Sequence, residues 1–170
     1  QAGPASGEIV LVAGSDIVPL FGAYAYANKG TVTQTSGSII RTQGADSVKV
    51  EANGSVTLAG YVESGDDLFA DAAGAIVLND VKAVGDILAS TNYGAAPAFD
   101  ITVTGDLASG GNIHLDASAA AYVVEGSLFA ANDVTLLADT LINVLGNVRA
   151  GNNIVMTTAD VAGVENSITV

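Results

Sequence analysis

The stretch Ile101-Thr-Val-Thr-Gly-Asp-Leu107 recurs along the chain with its glycine in place. It reads Tyr61-Val-Glu-Ser-Gly-Asp-Asp-Leu68, Val81-Lys-Ala-Val-Gly-Asp-Ile87, Tyr122-Val-Val-Glu-Gly-Ser-Leu128 and Ile142-Asn-Val-Leu-Gly-Asn-Val148. A degenerate copy, Val161-Ala-Gly-Val-Glu-Asn-Ser-Ile168, has Glu165 at the glycine position. The glycines Gly65, Gly85, Gly105, Gly126 and Gly146 lie 20, 20, 21 and 20 residues apart. Self-similarity at a fixed period of this length marks a repeat architecture in which each unit buries its apolar face against the next.

Two further ladders run at the same period. One comprises Val56-Thr-Leu58, Ile76-Val-Leu78, Ile113-His-Leu115, Val134-Thr-Leu136 and Ile154-Val-Met156; the other comprises Leu68, Ile87, Leu107, Leu128, Val148 and Ile168. The step from Ile76 to Ile113 is 37 residues and contains Asn92-Tyr-Gly-Ala-Ala-Pro97, where the strand pattern fails. Within each run, apolar and polar residues alternate. Ile113, Leu115 and Ala117 share one face, while His114 and Asp116 share the other, as in a half-buried strand. Between runs stand Gly, Asn, Asp and Ser, residues suited to corners.

These patterns predict an all-β fold: a single-stranded parallel β-helix, or β-solenoid, of right-handed type. It has about eight coils of ~20 residues with three short strands each. Equivalent strands hydrogen-bond one coil away, so Gly85 is expected beside Gly105. Residues 1–170 read as one domain, with irregular first coils or an N-terminal cap over 1–45 and regular coils over 46–170. In the regular part Glu63 breaks the pattern, because it falls on the inward parity occupied by Ala83, Val103, Val124 and Val144. A local register slip or a carboxylate tipped out at a corner would account for it.

Composition narrows the function. Five Lys and Arg face 18 Asp and Glu, a net charge of −13. That sign disfavours nucleic acid and anionic lipid, which need clustered cations. There is no cysteine, which excludes disulfides and thiolate chemistry. No run of 18 apolar residues suggests membrane insertion.

Gly111-Asn-Ile-His-Leu-Asp-Ala117, Asn132-Asp-Val-Thr-Leu-Leu-Ala138, Gly151-Asn-Asn-Ile-Val-Met156 and Gly54-Ser-Val-Thr-Leu-Ala59 resemble the coil repeats of filamentous-haemagglutinin-type exoproteins. The resemblance covers roughly residues 45 to 170. It implies a secreted bacterial adhesin whose β-helical shaft supplies length and surface, displayed outside the cell. No active-site motif comes with it.

The search for chemistry returns little. Lyases and hydrolases built on β-helices need clustered carboxylates with cations nearby. Here Lys29, Lys49, Lys82, Arg41 and Arg149 scatter along the chain as single solubilising charges. His114, the only histidine, is expected to face solvent, and no catalytic residues are assigned. Asp66, Asp86 and Asp106 follow the ladder glycines and would stack about 5 Å apart, a calcium column if a cation sat between them. No other cofactor is implied. Asn112, Asp133 and Asn153 form a second polar column of structural character. The five tyrosines offer a stacking surface for a host or surface glycan.

The last residues, Asn166-Ser-Ile-Thr-Val170, lie in strand pattern. Ile168 and Val170 are therefore candidates for end-to-end stacking, on further coils of the chain or on neighbouring copies. Two structural classes lead: an adhesin shaft segment, and a subunit that stacks head to tail into an extracellular fibre or biofilm matrix. A polysaccharide-binding or polysaccharide-cleaving β-helix comes third.

Overall fold

The structure is a computed structural model and describes residues 7–14, 30–91, 99–117, 121–159 and 167–170. All regular structure among them is β, and every pairing is parallel. Three rows of strands wind around one axis, so the chain is a parallel β-solenoid.

The first row is a seven-stranded sheet: β1 (Ile9–Ala13), β4 (Val48–Ala52), β6 (Leu68–Ala72), β8 (Ile87–Ser90), β11 (Ile113–Ala117), β14 (Val134–Ala138) and β17 (Ile154–Thr158). The second row runs β2 (Val32–Gln34), β5 (Val56–Ser64), β7 (Ile76–Ala83), β9 (Ile101–Val103), β12 (Ala121–Val124), β15 (Leu141–Val144) and β18 (Ser167–Thr169). The third row consists of β3 (Ile39–Arg41), the second halves of β5 and β7, β10 (Leu107–Ser109), β13 (Leu128–Ala130) and β16 (Val148–Ala150). Because β5 and β7 run through both, the second and third rows form one sheet.

Inward side chains stack into columns. Ile9, Val48, Leu68, Ile87, Ile113, Val134 and Ile154 share one register, and Ala13, Ala52, Ala72, Ala117 and Ala138 another. The buried core is almost wholly Val, Leu, Ile and Ala. Close stacking of like side chains in parallel register removes nearly all of this apolar surface from water, the dominant stabilising term.

Two corrections to the sequence reading follow. Seven strands stack in the first row, fewer than eight coils, because two coils are long. The chain advances 39 residues from Ile9 to its partner Val48, and 26 from Ile87 to its partner Ile113. The long second coil also splices the apparent ladders. Ile76 pairs with Ile101 rather than with the Ile113 run, and Leu107 continues Val81 rather than Ile87.

The glycine ladder is likewise two corners. Gly85 donates its N–H to the Asp66 carbonyl (2.9 Å) and accepts from Gly111 (3.0 Å), between the third and first rows. Gly105, Gly126 and Gly146 lie between the second and third rows, stacked one on another, with Gly105 against Asn79 and Asp80 of β7. Gly85 is therefore not beside Gly105. Successive corners in this region lie six residues apart, so a 26-residue coil places the wrong corner at the familiar spacing of 20.

Glu63 is resolved by a bulge. Ala59 and Gly60 together oppose Asn79, and the register shifts between Leu58 and Tyr61. Ser64, not Glu63, then aligns with Ala83 and is buried. Glu63 faces out and bonds Arg41 through Oε2 to Nε at 2.6 Å.

Candidate functional site

The corners carry most of the polar side-chain bonding. At the corner between the third and first rows, Asp67 Oδ1 accepts the Asp86 N–H (2.7 Å). Asp86 Oδ1 accepts both the N–H (2.7 Å) and the side-chain amide (3.1 Å) of Asn112. Asn112 Oδ1 accepts the Asp133 N–H (3.2 Å), and Asp133 Oδ1 accepts the N–H (2.9 Å) and side-chain amide (3.0 Å) of Asn153. The second corner repeats the device: Asp80 Oδ1 accepts from Asp106 N (3.1 Å), and Asp106 Oδ1 from Ser127 N (2.8 Å).

Each side-chain oxygen thus satisfies a corner N–H one coil onward, a donor that strand pairing leaves over. The Asn112, Asp133 and Asn153 column is present as expected from the sequence. Most of its bonds are donated by backbone N–H groups to side-chain oxygens.

Asp66, Asp86 and Asp106 do not form one column. Asp86 and Asp106 lie on different corners, and each carboxylate receives a backbone N–H. Among the described residues no three His, Cys, Asp or Glu side chains gather so as to hold a metal ion. His114 lies on the outward parity of β11, in register with Leu88 and Thr135.

The ladder glycines are required for packing. A Cβ on Gly126 would collide with the Gly105 carbonyl oxygen, and one on Gly146 with that of Gly126. Among the described glycines, only Gly14, Gly37 and Gly44 have positive φ.

The cations are less scattered than the sequence suggested. On the outward side of the third row, Arg41, Glu63, Lys82, Ala108, Phe129 and Arg149 follow one another in register. Three of the chain's five Lys and Arg residues stand in this single column. Its C-terminal part lines a shallow groove of about 650 Å³, with Lys82 and Arg149 toward its ends and Phe129 between them. No Asp or Glu contributes to its lining. In sequence the column lies in the tripeptides Val81-Lys-Ala83, Leu107-Ala-Ser109, Leu128-Phe-Ala130 and Val148-Arg-Ala150, a ladder that does not pass through Ile87.

At the C-terminal edge, Ile154 (49% exposed) and Ile168 (46%) continue buried inward columns, and Val170 is also exposed. The segments holding Tyr24, Tyr26 and Tyr93, together with the Tyr122 side chain, lie outside the described residues, so the tyrosine surface does too. Tyr61 is half-buried. Among the described residues no helix is long and apolar enough to cross a membrane. No protein-family model, curated protein or solved structure matches the chain.

Proposed function

We propose that this solenoid is a non-catalytic structural element, a shaft segment of a secreted bacterial surface exoprotein of the filamentous-haemagglutinin type. One observation carries the reading. Seven strands stack in continuous parallel register over an aliphatic core, and the corner carboxylates and amides bond the next coil. Polar groups tied up in coil-to-coil bonding build length and stiffness. A net charge of −13 keeps the sides of such rods apart. The test is immunogold labelling of intact producing cells with an antibody raised against the folded chain. Label at the cell surface is the expected result, and label confined to the cytoplasm overturns the proposal.

A second reading is a subunit that stacks end to end into a fibre. Ile154 and Ile168 at the last strands of their rows favour it, because a further coil would bury both. That coil can belong to the same chain or to another copy. Filaments seen by electron microscopy of the purified protein support stacking between copies. Short monodisperse rods at every concentration overturn it.

A further inference from the structure

We propose that the groove on the third row binds an acidic polysaccharide, laid along the solenoid axis, with a sugar ring on Phe129 and carboxylates at Lys82 and Arg149. The inference goes beyond the structural role and does not depend on it. Lys82, Ala108, Phe129 and Arg149 occupy consecutive strands, so the two cations stand three sheet steps apart, about 14 Å along the axis at the backbone. Neither makes an ion pair among the described residues, whereas Arg41 and Lys49 are paired with Glu63 and Glu8.

In a chain of net charge −13, two cations without an ion pair flank a groove whose lining holds no carboxylate, with Glu63 next to Lys82 on the strand before it. Phe129 is 39% exposed and Val84 65%, which gives the groove an apolar patch. Ala108 leaves room between Lys82 and Phe129, and Gly110 and Gly151 also line the groove. The flat apolar face of a pyranose fits such an aromatic platform. Asp80 and Asp106 line a separate depression on the other side of Lys82, and they bound the site on that flank.

The alternatives fit less well. An extended peptide gains its affinity by adding a strand to a free sheet edge. Here β10 and β13 are each paired on both sides, so the groove floor offers no such edge. Nucleic acid needs a track of many cations along its phosphates, and this groove holds two. With no carboxylate in the lining, the site lacks the acid pair of glycoside hydrolysis.

The experiment is affinity electrophoresis of the full chain through native gels containing polygalacturonate, with fully methyl-esterified pectin and poly-glutamate as comparison probes. The expected result is retardation by polygalacturonate alone, weakening as salt rises. Phe129→Ala and the double variant Lys82→Gln/Arg149→Gln each reduce apparent affinity tenfold or more. Ala108→Glu, which removes no contact and adds a charge to the groove floor, abolishes it. His114→Ala, on the first row, leaves it unchanged. Circular dichroism melts confirm that each variant is folded. No retardation by polygalacturonate, equal retardation by the esterified polymer, or insensitivity to both Phe129→Ala and Ala108→Glu overturns the proposal. Equal retardation by poly-glutamate assigns the groove to acidic peptides and overturns it also.

Discussion

The Asp86 carboxylate accepts both the backbone N–H and the side-chain amide of Asn112, a residue 26 positions later and one coil away. It bridges the longest step between neighbouring strands of the first row after β4. Replacing Asp86 by Ala strands a corner N–H and should cost about 1–3 kcal/mol. Asp86→Asn keeps an acceptor at the same place and should recover most of that. Urea denaturation followed by circular dichroism measures both, and equal losses for Ala and Asn would show that the oxygen is not what matters.

Gly126→Ala is expected to destabilise by about 1–3 kcal/mol, as overpacked sites do, because its methyl meets the Gly105 carbonyl of the coil before it. Gly7→Ala, where a Cβ has nothing within 4 Å, is the control and should be close to neutral. Thermal melts of the two variants decide it.

Ala72 is fully buried, stacked between Ala52 and Thr91 in a column of small side chains. Ala72→Leu should cost about 1–3 kcal/mol through forced shifts in the neighbouring coils. Leu115→Ala, emptying a site between Ala89 and Leu136, should cost about 2–5 kcal/mol. Chemical denaturation reports both. A tolerated Ala72→Leu would mean that the small side chains of this column reflect composition rather than space.

Asp71 stands beside Glu51 of the preceding coil. Partial burial, and then the Glu51 charge, raise its pKa above the ordinary 3.8. The folded state therefore holds this proton more tightly than the unfolded chain. Its contribution to stability falls as pH rises from about 3.8 through the folded pKa, and the penalty is complete above it. Asp71→Asn should thus raise the melting temperature at pH 7, with the gain shrinking as pH drops toward 3.8. A gain independent of pH would remove the electrostatic cause.

The solenoid was legible because its inward positions obey a period of two within strands and about twenty between them. Ile113, Leu115 and Ala117 are all buried, as that alternation requires. What misled was a coincidence of lengths. A coil lengthened by six residues moves Gly105 onto a neighbouring corner while preserving its distance from Gly85, and sequence spacing alone cannot separate those cases. The bulge at Ala59 and Gly60 has the same character: one extra residue in β5 pairs Glu63 with the outward Lys82 instead of the inward Ala83. The groove was obscured by the same splice, since Lys82 and Arg149 share a face only when Val81, not Ile87, is matched to Leu107.

The 26-residue lap between Ile87 and Ile113 has one more implication. Strand pairing resumes beyond it with the same partners on every row, so contour length and axial advance are uncoupled. A rod of this kind can acquire a side branch at one lap without altering its pitch or the laps above and below. Reach and ornament can then evolve as independent variables.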